Sequence, residues 1–328
     1  MSWKRLFSRA LAADPGRLHF AAHSHHFWPD ASFAGQVEAW EDAAALADLK
    51  WGKVMGPVWA EAQAAVAAEL NLPDPATLSF SSNTHDFLIR IVSALPRRPL
   101  RVLATDGEFH SFRRQMARWV ENGEVVLETV PPEQLPEAAR RGGHDLIFAS
   151  QVLFNSGTIL DCMGDLAALA SPDGPWVVID GYHGFMAIPT DLSEIADSIF
   201  YLAGGYKYAM AGEGACFLHA PPGFAPRPAI TGWYAEFEDL ALPPGAVGYA
   251  SDGRRFLGST FDPSGLYRFN AVQRMLAAEG LTTASISAHV TALQQQFLSS
   301  EPLPMMTLLN PLTDGPHARF LAFRGENA

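Results

Sequence analysis

The chain has 328 residues, 48% hydrophobic and 18% charged, with a formal net charge of −12. That is ordinary for a globular protein, long enough for two domains or for one large domain with a smaller satellite. The acidic balance argues against nucleic-acid binding, no run of 18 apolar residues suggests a membrane span, and Cys162 and Cys216 are too few for a disulfide framework.

In chain order, residues 18–30, LHFAAHSHHFWPD, hold four of the eleven histidines. His23, His25 and His26 bring metal to mind, yet no partner set with metal spacing follows, so no metal is expected. Helical patterns cover 36–49 and 57–70, with Pro57 suited to a first helical turn. Residues 77–80 read as a strand leading into Ser81-Ser82-Asn83-Thr84 and a helix through Leu95. Asn83 suits an N-cap, with Asp86 where a capping-box acid would stand. Free amides and hydroxyls at such a helix start suit either plain capping or a phosphate. A strand at 100–105 ends in Asp106-Gly107-Glu108-Phe109-His110. The amphipathic helix that follows places Arg113, Arg114 and Arg118 on a solvated face. Residues 125–130 and 145–150 are further strands, the second running into the turn SQVLFNSG; 163–170 is a short helix.

The run PWVVID, 175–180, is a buried-strand pattern ending in Asp180, followed by Gly181, Tyr182 and His183. A carboxylate at the end of an apolar strand sits where open α/β sheets bind ligands, and it is also a common turn cap. Two more β-leaning runs, 198–203 and 214–219, enclose a Gly-rich turn with Lys207 between Tyr206 and Tyr208. Such a lysine is either a surface residue or partly desolvated, its pKa lowered and its amine available for a Schiff base. ITGWY (230–234) and FLGSTFDP (256–263) follow. Helices at 267–278 and 286–298 close the pattern, the second with Ile286, Val290, Leu293 and Phe297 on one face.

Strand-Asp-x-x-His followed by strand-Gly-Gly-Tyr-Lys-Tyr resembles the pyridoxal 5'-phosphate (PLP) site of the class V aminotransferase superfamily, and GYKYAMAGEGACFL is most similar to kynureninase. The resemblance runs from about Leu18 to Thr260. It implies an α/β protein of PLP-dependent transferase fold type I, with a mostly parallel seven-stranded sheet between helices. Residues 1–45 would contribute to a small domain and the active-site mouth, 46–265 would form the large PLP-binding domain, and 266–328 an incomplete small domain. It implies that Lys207 carries PLP, that Asp180 faces the ring nitrogen, and that His183 holds Asp180 or the phosphate. Tyr206 would bind phosphate or relay a proton, and Asn83 and Thr84 would hold the phosphate. Phe109 would stack on the ring, with His110 as the alternative.

Trp233 would reach the substrate, and Thr260 would bind the phosphate of a neighbouring subunit, which implies a homodimer. His23-Ser24 stands where kynureninases carry Asn-Ser, and Phe112 where they carry an Asp. Arg319 and Arg324 are the arginines left near the end, outside the motif that holds a substrate carboxylate. The implied activity is cytoplasmic hydrolysis of a β-acyl carbon–carbon bond, kynurenine to anthranilate and alanine, on a small amino-acid substrate. Class V aminotransfer and a PLP-binding pseudoenzyme are the alternatives. Cysteine desulfuration is the weakest, because Cys216 falls inside a strand and Cys162 before a short helix.

Overall fold

Seven short apolar runs pair into one sheet: β1 (Leu78–Ser81), β2 (Leu100–Thr105), β3 (Val125–Val130), β4 (Leu146–Ser150), β5 (Trp176–Asp180), β6 (Ile199–Ala203) and β7 (Cys216–His219). The computed structural model describes residues 2–237, 243, 245–300, 305–313 and 315–325. Across the sheet the order is β1-β7-β6-β5-β4-β2-β3. β7 runs antiparallel to β1 and β6, and the remaining neighbours are parallel. The central strands are buried on both faces, so they read as continuous apolar runs. Alternation still sorts their side chains. Leu146, Phe148, Trp176, Val178, Phe200 and Leu202 pack into one core layer, while Ile147, Ala149, Val177, Ile179, Ile199 and Tyr201 pack into the other.

The helices are α1 (Ser8–Ala13), α2 (Asp30–Leu46), α3 (Lys50–Lys53), α4 (Trp59–Leu70), α5 (Thr84–Ala94), α6 (His110–Glu121), α7 (Leu135–Arg141), α8 (Met163–Ala167), α9 (Ser264–Ala278) and α10 (Thr283–Ser300). α5 and α6 supply Phe87, Ile91, Phe112 and Met116 to the first layer. α4 and α9 cover the opposite face. A two-stranded antiparallel pair, β8 (Met306–Leu308) with β9 (Phe323–Gly325), lies near the end of the chain.

One expectation is corrected here. Pro57 does not open a helix: it lies in a π-helical link, Val54–Val58, that joins α3 to α4 across a kink at Gly56. Such a link frees backbone groups that a proline cannot serve. The apolar face of α10 is not buried along its length, for Leu293 and Phe297 stay exposed.

Candidate active site

The parallel register brings strand ends together. Ser150 is level with Asp180, and Asp180 with Leu202. All three line one cavity of about 240 Å³ at the carboxyl edge of the sheet, closed on the far side by the start of α5. Asn83, Thr84, Phe109, Phe154, Tyr182, His183, Tyr206 and Lys207 also line it. A larger open groove of about 1340 Å³ runs beside it along α6, lined by arginines, and reaches neither Asp180 nor Lys207.

Lys207 lies in the connection from β6 to β7. That loop folds on itself through Ala211 N–H to the Gly205 carbonyl at 2.8 Å and Met210 N–H to the Lys207 carbonyl at 3.0 Å. From α9, Arg268 donates Nε to the Ala211 carbonyl at 2.9 Å and a terminal nitrogen to that of Glu213. Gly204 permits the close approach: a Cβ there would fall 2.2 Å from the Tyr182 hydroxyl and 2.5 Å from Cys216 Sγ.

The lysine is only 4% exposed. Burial lowers its pKa from 10.5 to about 8, with the Asp180 charge pulling the other way. Its Nζ donates to His183 Nε2 at 2.6 Å. Burial and the Lys207 charge hold that imidazole down near a pKa of about 2, so it is neutral and can accept. Asp180 accepts from the Tyr182 amide at 2.9 Å. Burial raises its pKa, opposed by that amide and by Lys207.

Rings surround the amine. Phe109 and Tyr182 present their faces to Lys207 Nζ at 5.6 and 4.8 Å. Phe154 meets Phe109 edge-on at 5.2 Å, and beyond His183 the row continues with Phe320 and His23. The N-terminal segment lies over this loop. His26 N–H bonds the Tyr206 carbonyl, His25 Nε2 pairs with Glu213 at 2.9 Å, and Trp28 packs where a Cβ on Gly212 (φ +71°) would be only 2.4 Å away. Asn83 caps α5, its Oδ1 accepting from Asp86 N–H at 2.9 Å.

The structure therefore brings together Lys207, Asp180, His183, Asn83, Thr84, Phe109 and Tyr206, with His23 beside them. It differs from expectation at three residues, His183, Ser24 and Trp233. His183 bonds Lys207, not Asp180, because the turn after β5 swings its ring over the amine. His110 lines the outer groove, which leaves the wall to Phe109. Ser24 is exposed, its amide bonded to the Ala21 carbonyl. Trp233 is exposed and outside the cavity and packs on Tyr234 and Phe237; Thr260, expected to serve a neighbouring subunit, is exposed and outside the cavity of its own chain.

Sequence reasoning gave no site role to Phe154, in the turn after β4, or to Tyr182, although Tyr182 stands between two residues that it did assign. Cys216 lies on the cavity floor, its Sγ 3.4 Å from the Tyr182 hydroxyl. Burial pushes both thiols up to about 11. Among the described residues no cluster of His, Cys, Asp and Glu could hold a metal ion, and no helix is long and apolar enough to cross a membrane.

No protein-family model and no curated protein matches the chain. Solved structures do resemble it. A mutant of C-DES with glycine covalently linked to its PLP cofactor superposes with a TM-score of 0.78 at 16% identity, over 99% of this chain and 86% of that one. C-DES described as a cystine C–S lyase, in complex with its product cysteine persulfide, gives 0.75 at 17%, over 97% and 85%. The apo cysteine desulfurase from Thermococcus onnurineus gives 0.76 at 16%, over 100% and 84%. The chain has the fold of these proteins, PLP-dependent fold type I, with its mostly parallel seven-stranded sheet.

Proposed function

We propose that the chain is a PLP-dependent enzyme that acts on an amino acid and breaks a bond at the substrate's β-carbon without the help of a protein thiol. The observation that carries this reading is a buried lysine amine of lowered pKa, set among aromatic rings in the cavity that Asp180 lines.

The residues present fit PLP. Its aldehyde needs an amine, and Lys207 has one. Its phosphate needs donors, and the cavity holds the start of α5 with Asn83 and Thr84, beside His85, whose buried Nδ1 has no partner among the described residues. Its pyridine nitrogen needs a counter-charge, and Asp180 is a carboxylate. Bound there, PLP would supply covalent attachment and a conjugated ring that accepts the electron pair released at the substrate's Cα.

The chain's own groups would do the rest. Asp180 would keep a proton on the ring nitrogen by charge pairing. Phe109 would provide a flat wall, and Tyr206 a hydroxyl at the cavity edge. Lys207, with a pKa of about 8, is partly neutral at neutral pH, so its Nζ can take the proton from Cα and return it. His183 Nε2 would hold that amine in place whenever it is free.

Likeness to C-DES and to a desulfurase favours a sulfur substituent on the β-carbon. Attack by a protein thiolate is disfavoured, because Cys162 and Cys216 are both buried and protonated. Elimination across Cα–Cβ needs only the lysine. Kynureninase-like hydrolysis is the second reading, favoured by the row of Phe154, Phe320 and His23, which suits an aryl group.

The test is to supply PLP-loaded protein with L-cystine, L-cysteine and L-kynurenine and to follow pyruvate and anthranilate. Pyruvate from cystine, retained in the Cys162→Ser/Cys216→Ser double variant, is the expected result. Anthranilate in place of pyruvate would move the assignment to the second reading, and loss of turnover in the double variant would overturn the thiol-free route.

A further inference from the structure

Phe109 is held by the residue before it. Glu108 has no solvent exposure, and both of its oxygens are occupied. Oε1 accepts from Thr105 Oγ1 at 2.6 Å and from Ser150 N–H at 3.1 Å, and Oε2 accepts from Ser150 Oγ at 2.6 Å. One side chain thus ties the end of β2 to the end of β4, and Ser150 is in turn level with Asp180 across the parallel pair. We propose that Glu108 is a positioning residue of this site, which fixes Ser150 and Phe109 beneath the cavity and whose charge bears on Asp180 through the adjoining strand ends. Its second half rests on the reading of the cavity as a PLP site.

The surroundings support this assignment. Thr105 on β2 and Ser150 on β4 contact the carboxyl and carry no charge. Asp180 on β5 is the charged group that acts on it, with Lys207 beyond. On the outer side Asp106, Glu133 and Asp161 line a hollow that Thr105 and Ser150 share. Lys207 is the cation among these acids. Burial pushes Glu108 up to about 7, the hydrogen bonds from Ser150 and Thr105 oppose the push, and the Asp180 charge adds to it. Loss of its proton therefore places a second buried anion beside Asp180 at near-neutral pH. Two carboxyls so placed resist ionising together. A second anion also raises the proton affinity of any cation in the cavity.

A purely structural glutamate would leave cofactor titration alone, and this separates the two roles. The variants are Glu108→Gln, which keeps the shape and can still accept from Ser150 N–H, and Asp180→Asn. In cofactor-free protein carrying carboxyl-labelled glutamate, the resonance absent from Glu108→Gln should titrate near neutral pH, and its midpoint should fall by about half a pH unit in Asp180→Asn. In PLP-loaded protein the pH midpoint of the visible absorbance should fall by about half a pH unit in Glu108→Gln.

A Glu108 resonance indifferent to Asp180→Asn, or an absorbance titration identical in wild type and Glu108→Gln, would overturn the proposal. Absence of PLP absorbance in the wild type counts against the cofactor reading alone. The cofactor-free titration then decides the link between the two carboxyls. Should Glu108→Ala fail to fold, Glu108→Gln is the variant that decides, through the two titrations.

Discussion

At the scale of single residues, the site depends on what burial does to charge. The counter-charge role proposed for Asp180 requires it to be ionised, and Lys207 and the Tyr182 amide favour that state against desolvation. Asp180→Asn keeps the shape and removes the charge. It should cost about 2 to 4 kcal/mol in the barrier, roughly thirtyfold to a thousandfold in turnover, with cofactor retention changed far less. Steady-state rates beside absorbance after gel filtration would check this, and wild-type turnover with poor retention would contradict it.

Glu108 has a stability consequence of opposite kind. Its folded pKa, about 7, lies above its ordinary 4.5, so folding favours the protonated form. That contribution is fully present below pH 4.5 and is lost as pH rises toward 7, amounting to about 3 kcal/mol. Urea unfolding at pH 5 and pH 8 should therefore show wild type losing stability that Glu108→Gln keeps. Lys207 and Asp180 were legible in the sequence because each ends or follows an apolar run. The bonds of Ser150 to Glu108 were not, since they join residues far apart in sequence through a register that only the folded sheet sets.

At the scale of elements, strands buried on both faces read clearly. β2 and β3 lie where the apolar runs put them, and β4 to β7 begin one or two residues later than their runs. α5 was equally legible, because Asn83 caps it as its chemistry suggests. Asn83→Ala should cost about 1 kcal/mol of stability by chemical denaturation and should also weaken PLP retention. A loss of stability without a loss of retention would remove Asn83 from the proposed phosphate site. Periodicity was a poorer guide at the margins. It identified α10 correctly as a helix with Ile286, Val290, Leu293 and Phe297 on one face, but did not tell that Leu293 and Phe297 stay exposed. The π-helical link at Pro57 was invisible, because the register of α3 into α4 is set by packing, not by local preference.

At the scale of the whole molecule, Trp233 and Thr260 are exposed and stand outside the cavity. We propose a homodimer in which the partner's copies of this stretch complete the mouth, with residues 46–265 as the cofactor domain and the segments on either side as a smaller one. Exposed Phe33, Val37 and Trp40 recur along one side of α2 and suit burial on association. Light scattering across a dilution series should report a dimer whose dissociation weakens PLP binding. A monomer that binds PLP at full strength would contradict it. The central claim is that Lys207 carries the cofactor, and covalent mapping tests it most directly. The protein is loaded with PLP, reduced with borohydride, digested, and its peptides weighed. The account predicts one modified peptide, the one containing Lys207, and a lost or shifted visible absorbance band in Lys207→Ala; label on another lysine, or an unchanged band in that variant, would contradict it.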